Sequence, residues 1–405
     1  METIDTQDGQ DIRGFVESRL KAFLDSYSIL NVGHITQFVD PVNRQLGISD
    51  ALAIFAEHPE LTSLPVEGDT GVIGIVHKTQ LMGKKSAITA MTNPPVERFM
   101  DASGFFVDAS ENCEKAMTRV LARGGAALYD DFMIYERGRY FGIGTFSELS
   151  RAIAAIRALD LAKAKAMQEH LMARNRAESS GVKYSSMVRM AHEIGGDLLM
   201  TMDLRDGLSM LACFDVCGKG TAAAILTGAI SAFFSTLKTG GALASLQPPA
   251  LVAALNRMLM DQTTEEGFVA AALAFVDSSK REAVFYNCGF QPIYVFYADP
   301  ETGKPKARMV NSNLWPMGIN EYAGVRGAAV PLHYKFRFFM YSDGLTDALD
   351  GRGNRFGEEG LKTFLLPRSQ KPAAQILEEL TAELDAFVGE APQADDITVL
   401  VAEVP

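Results

Sequence analysis

Apolar residues recur along this chain with changing periods, and the changes divide it into three regions. Between about Ser26 and Ser150 two stretches share one layout, VNRQLGISDALAIFAEHPELTSLPVEGDTGVIGIVHKTQLM and FFVDASENCEKAMTRVLARGGAALYDDFMIYERGRYFGIGTFSELSRAI. Each reads as a short strand, a polar cap, an amphipathic helix, two strands about a turn and a closing helix. Ser49 and Ser110 are the expected caps, and Leu64–Glu67, Val72–Val76, Ala126–Tyr129 and Tyr140–Ile143 the expected strands. A repeat of this length predicts two copies packed together, each burying its open face on the other.

From Glu148 to about Ala177 the chain is rich in Ala, Leu, Lys and Glu and has no Gly or Pro, which predicts one long helix. Leu149, Ile153, Ile156, Ala164, Met167 and Leu171 form its apolar stripe, broken at Asp160. The heptad is too irregular for a coiled coil, so the helix reads as a linker. After about Lys183 short β-rich runs follow one another: LSMLACF, GFVAAALAFV, EAVFYNCG, PIYVFYAD, KFRFFMYS and ITVLVAEV. The helical patterns TAAAILTGAISAFFSTLK, PPALVAALNRMLM and AAQILEELTAELDAFV lie among them. Consecutive strands without intervening helices predict antiparallel sheets with helices added outside, an α+β class. The expected organisation is an N-terminal segment 1–25, a repeat pair 26–150, a helical linker 151–185 and a C-terminal domain 186–405.

Composition narrows this picture. A chain of 405 residues, 47% hydrophobic and 22% charged, fits two or three globular domains. No apolar run approaches the roughly 18 to 20 residues of a membrane span, and METIDTQDGQDIRG has no secretory core. Four cysteines without a CxxC pair are not a disulfide framework. A cytoplasmic protein with no membrane partner is expected. The net charge of −12 argues against a nucleic-acid partner, which would need clustered Lys and Arg. It does not exclude a phosphorylated protein, since a cation bound among carboxylates would reverse the local field.

The candidate chemistry is carboxylate. Asp197 closes a Gly-Gly-Asp, Asp215 follows LSMLACF and opens DVCGKGTAAA, Asp343 follows KFRFFMYS, and Asp395 and Asp396 precede ITVLVAEV. Taken singly, each is an ordinary turn or loop aspartate. Jointly they sit where apolar strands meet loops, so several carboxylates converge at one edge of a packed core. Without a counterion they would repel and lose hydration. No His or Cys stands nearby with ligand spacing, so an oxygen-only site favours Mg²⁺ or Mn²⁺ over Zn²⁺. Two such ions about 4 Å apart could polarise a phosphoryl group and hold a hydroxide for in-line attack.

The order GGD, DVCGKGTAAAIL, FVAAALAFVD, YNCGFQPIYVF, MYSDGLTDALDGRGNRFGEEGL and ADDITVLV resembles the SpoIIE-like branch of the PPM metal-dependent phosphatases over His192–Val401. The resemblance implies an αββα sandwich and a phosphoserine/phosphothreonine phosphatase with a centre of two Mn²⁺ or Mg²⁺ ions. It also implies ligand roles: Asp215 bridges both ions, Asp197 and the Val216 carbonyl complete one shell, and Asp343 and Asp395 complete the other. Asp396 is not expected as a direct ligand. Two positions depart from the family's common pattern, Lys219 in Gly-Lys-Gly for Gly-His-Gly and Phe290 in Cys-Gly-Phe for Ala-Gly-His. Lys219 is either a catalytic group, attracting phosphate or protonating the leaving oxygen, or a solvated loop lysine.

Other motifs are rejected. Leu198-Leu199 rule out a GGDEF cyclase, and the Cys113–Arg119 spacing of thiol phosphatases falls on a helix. Gly218-Lys219 lacks the rest of a P-loop. Cys213 and Cys217 read as buried small hydrophobes.

The N-terminal repeats resemble a CBS-domain pair through their layout and the endings GIVHKTQL and GIGTFSEL. That implies an adenine-nucleotide site with Thr145 and Glu148 toward the ribose; the first copy carries His77 and Gln80 instead, and a packing module without ligand is the alternative. The whole reads as a homodimeric sensor–linker–phosphatase. Its expected partner is a serine/threonine-phosphorylated protein, by analogy an anti-sigma factor antagonist in bacterial partner switching. The alternative is a catalytically silent module with a structural aspartate site.

Overall fold

The computed structural model describes residues 30–83, 92–102, 104–174, 181–263, 267–299 and 301–404, so the expected segment 1–25 lies outside it. Two compact units divide the chain at Asp160/Leu161.

In the first unit two small sheets repeat one plan. Strand β1 (Val42–Asn43) runs parallel to β2 (Ser63–Gly68) through helix α1 (Ile48–Glu57), and β2 pairs antiparallel with β3 (Gly71–His77), followed by α2 (Lys78–Gly83). The second copy repeats this with β4 (Phe106–Asp108), α3 (Cys113–Leu121), β5 (Phe132–Glu136) and β6 (Arg139–Gly144). It closes with α4 (Phe146–Arg174), a single helix in which the division between units falls. The copies share cores: Met133 and Ile143 of the second pack among Leu64, Val66 and Val76 of the first.

Three local expectations need correction. Helix α1 starts after Gly47, not Ser49, and α3 after Asn112, whose side chain accepts the Glu114 and Lys115 amides. Ser110 instead donates to Asp108, in a turn that precedes the helix. The expected strand Ala126–Tyr129 is a 3₁₀ turn, Gly125–Tyr129, entered through Gly124 at φ +65°, a conformation that glycine adopts readily.

The second unit is an αββα sandwich. Strands β7 (Lys183–Arg189), β8 (Asp197–Arg205) and β9 (Leu208–Val216) are followed by helices α5 (Thr221–Thr239) and α6 (Pro248–Gln262). Then come β10 (Val269–Asp277), β11 (Glu282–Cys288), β12 (Ile293–Ala298), β13 (Pro305–Val310), β14 (Ala328–Pro331) and β15 (Arg337–Tyr341). Helices α7 (Asp343–Asp347), α8 (Gly357–Arg368) and α9 (Ala373–Val388) precede the last strand, β16 (Ile397–Glu403). The sheets run β14-β11-β10-β9-β8 and β13-β12-β15-β16-β7, with antiparallel pairing throughout.

Both faces of each sheet are covered, so its strands are apolar on alternate residues in both phases. Met200, Met210, Ala212 and Leu273 face Ile230, Phe234 and Leu255 of α5 and α6. Leu199, Leu211, Cys213 and Ala274 face Phe338, Met340 and Leu400 of the other sheet. Phe339, Val399 and Val401 pack outward on Leu361, Phe364, Ile376 and Leu380. The first of these layers corrects one expectation about membrane spans: α5, at 19 residues with a mean hydropathy of 1.3, does reach spanning length and composition. Its Ala223, Ile230 and Phe234 nevertheless lie in the core of this unit.

Candidate metal centre

The strand period of two places the acids. Asp197 and Asp215 share the phase of Leu199 and Cys213, so both point between the sheets, and they are direct partners across β8 and β9. Strand β9 extends past LSMLACF to Val216, so Asp215 lies in the strand rather than after it. On the opposite sheet Asp343 begins α7 after β15, and Asp395 lies just before β16. Asp215, Asp343 and Asp395 line one cleft of about 270 Å³ with Val216, Cys217, Lys219 and Phe290. Asp197 lies beneath it, 1% exposed, and accepts the Ser342 hydroxyl at 2.8 Å.

Close approach explains the glycines of the motifs. A Cβ on Gly344 would overlap the Asp396 carbonyl oxygen, and one on Gly195 would overlap the Asp396 carboxylate and the Met190 sulfur. Gly218 and Gly220 adopt φ +98° and +71°, turning the chain from β9 into α5. The backbone groups of the Gly-Gly pair are bonded: Asp396 Oδ2 accepts Gly196 N–H at 2.7 Å, and Val216 N–H donates to the Gly196 carbonyl at 3.3 Å. Asp396 Oδ1 takes the Ala191 amide at 2.7 Å. Asp396 therefore clamps the loop before β8 with both oxygens.

Asp197, Asp215 and Asp343 strain against their surroundings. Burial, then the charge of Asp343 and Asp395, pushes Asp215 up to about 7. Burial and the neighbouring Asp215 hold Asp197 well above the ordinary carboxylate range. Burial and Asp395 raise Asp343. Lys219 offers partial relief: its Nζ donates to the Ala394 carbonyl at 2.8 Å and lies 3.2 Å from Asp395 Oδ2. Its charge is also felt at Asp215 and Asp343. Among the described residues no three acidic, histidine or cysteine side chains close into a ready-made cage. The donor set nonetheless fits hard divalent cations: several carboxylate oxygens face one cleft with uncompensated repulsion, a cost that a bound cation removes.

The other expected site residues have local partners. Thr145 Oγ1 accepts the Glu148 amide at 3.1 Å and donates to Glu148 Oε2 at 3.3 Å, at the start of α4. Burial pushes the Cys113 thiol up to about 12, and Arg119 pairs with Glu111 at 2.7 Å. Cys213 is buried as expected, whereas Cys217 is exposed in the cleft wall, a correction that follows from the left-handed Gly218 next to it. Phe290 is 6% exposed and belongs to the core between the sheets. Ser342 and Gln168 escaped the sequence reading; Ser342, next to Asp343, bridges Asp197 and the Thr398 amide.

Residues 205–405 match the family described as Stage II sporulation protein E (SpoIIE). No curated protein matches the chain significantly. Among solved structures, the SiaA-PP2C domain of Pseudomonas aeruginosa aligns over 63% of this chain and 99% of its own, at 20% identity and a TM-score of 0.54. The RsbU and RsbW domains of a Mycobacterium tuberculosis protein align over 55% of this chain and 60% of theirs, at 19% identity and a TM-score of 0.44. The SpoIIE phosphatase domain with a regulatory fragment from Bacillus subtilis aligns over 56% and 64%, at 19% identity and a TM-score of 0.44. This chain thus spans less than two thirds of the latter two. The C-terminal region is thus similar to the SpoIIE family over residues 205–405 and to a PP2C-type domain in fold.

Proposed function

We propose that the C-terminal unit removes phosphate from phosphoserine or phosphothreonine in a protein substrate, with Mn²⁺ or Mg²⁺ held by Asp197, Asp215, Asp343, Asp395 and the Val216 carbonyl. The observation that carries this reading is the cleft itself: three aspartates face it, and Asp215 is raised to about 7 by burial and by the other two. Bound divalent cations would neutralise phosphoryl oxygens and activate the attacking water. Lys219, already at the rim, supplies a point charge that draws the phosphate in and orients it. Phe290 is among the residues that line the cleft.

By the same reading the chain is homodimeric, the N-terminal unit regulates the rate, and the substrate is a small phosphoprotein such as an anti-sigma factor antagonist. One continuous helix, α4, joins the two units and supports that arrangement. A second reading is favoured by the Lys219–Asp395 pair, which places a fixed cation among the acids and suits a silent binding module. Phosphate release from an aryl phosphate and from serine-phosphorylated protein, with Mn²⁺ and with chelator, separates the two. Turnover in Mn²⁺ that chelator abolishes is expected; equal turnover in both, or none in either, removes the metal-dependent enzyme.

A further inference from the structure

Among the described residues of α4, Gln168 is the one buried polar side chain, 7% exposed. A buried amide left unbonded is costly, so where its hydrogen bonds go is informative. Both ends of this amide meet the same residue. Gln168 Nε2 donates to the Gly195 carbonyl at 2.8 Å, and Oε1 accepts the Gly195 amide at 3.2 Å. Nε2 also lies 3.2 Å from Thr227 Oγ1 on α5. A planar amide bonded to both backbone groups of one residue fixes that residue in position and in tilt. Gly195 has no side chain to anchor it and no room for one. The next residue, Gly196, is held by Asp396 and by the Val216 amide, and Asp197 follows.

We propose that Gln168 is a positioning residue for the metal centre. Its amide sets the Gly195-Gly196 turn, and through that turn it sets the approach of Asp197 to Asp215 and of the Val216 backbone to the cleft. It acts through the loop rather than as a ligand. The inference rests on reading the cleft as a cation site. Residues that orient ligands from outside the coordination shell change metal affinity by about 10–100-fold when removed.

The full chain tests this with two variants. Gln168→Met keeps length and apolar bulk but removes the amide. Met172→Ala, one turn along the same helix, removes a buried side chain of the apolar core and no bond to the loop. Three quantities are measured: hydrogen exchange across Ala191–Leu198, the metal-free melting temperature, and the Mn²⁺ concentration at half-maximal thermal shift. Gln168→Met is expected to speed exchange in that segment and to raise the Mn²⁺ midpoint about 10-fold. Met172→Ala is expected to lower the metal-free melting temperature and leave the midpoint in place. Unchanged loop exchange in Gln168→Met, or equal midpoint shifts in the two variants, overturns the proposal. A wild-type chain that shows no response to Mn²⁺ removes the cation site itself, whereas a wild-type response that Gln168→Met shares in full removes only the role of Gln168.

Discussion

Compare two buried aspartates, one in each unit. Asp131 in the N-terminal unit is 5% exposed and accepts hydroxyls from Thr62 and Ser63 at 2.5 and 2.6 Å. Asp197 in the C-terminal unit is 1% exposed, accepts the Ser342 hydroxyl at 2.8 Å, and stands across the strand pair from a second acid. The first carboxylate is satisfied by neutral donors of its own unit. The second is held against its own electrostatics, with burial and Asp215 both opposing its charge. A packed fold tolerates that arrangement only at a cost in stability, a cost that the cation of the proposed function would offset.

The sharpest way to break the comparison is by substitution on each side. Asp215→Asn is expected to reduce Mn²⁺-dependent phosphate release by about 100-fold or more, because one neutral amide cannot serve two divalent cations. Asp131→Asn in the same assay is expected to leave the Mn²⁺ midpoint unchanged, whatever it does to folding. Steady-state rates over a Mn²⁺ titration read both. Full activity in Asp215→Asn would place the two carboxylates in one structural class.

A smaller effect sharpens the contrast through pH. Asp215 binds its proton with a pKa of about 7 when folded, against 3.8 for the unfolded chain. Between those values the folded state carries more protons, so stability falls as pH rises through the window from about 4 to 7. Asp197 and Asp343, also raised, act in the same direction. In chelator, the melting temperature of the C-terminal unit should therefore drop from pH 5 to pH 7.5, and Mn²⁺ or Mg²⁺ should restore most of the loss at pH 7.5. Asp343→Asn should flatten both responses. A flat profile in chelator would mean that the acids are solvated and independent.

How much of this was readable in advance depended on whether the cause was local. The acids were legible because each lies at or near the end of an apolar strand, Asp197 and Asp343 beside a glycine, and on β8 and β9 the strand period fixes which way Asp197 and Asp215 point. Antiparallel sheets with helices outside were legible from consecutive apolar runs, and the sandwich from the family resemblance. Side-chain destinations set by tertiary packing were not. The apolar stripe placed Met167 inward, yet it is 62% exposed, while Gln168 and Met172 are buried. The hydrophobic pattern of α4 is too weak to fix its rotation, so a polar residue faces the core and an apolar one faces out. Cys217 was misplaced for a related reason, since the turn at Gly218 decides its exposure and one residue of sequence does not show which way that turn goes.

The smallest expected effect concerns Thr145 and Glu148, which the CBS resemblance marked as nucleotide contacts. Thr-Phe-Ser-Glu also has the spacing of a capping box, and in the structure the two side chains engage each other at the first turn of α4. Thr145→Ala should then remove a helix cap and cost the N-terminal unit about 1 kcal/mol. Glu148 is raised by burial ahead of any partner, which fits a side chain packed into its own unit. Because α4 continues to Gln168, loss of the cap would reach the candidate metal centre only if fraying at Phe146 propagated about six turns, far beyond the first turn that a cap governs. Thr145→Ala should therefore lower the unfolding midpoint of the N-terminal unit while leaving the Mn²⁺ midpoint of the full chain unchanged. Calorimetric titration with AMP and ATP on wild type and Thr145→Ala separates the two roles. Wild-type binding that Thr145→Ala abolishes, with stability unaltered, would make Thr145 a ligand contact instead of a cap.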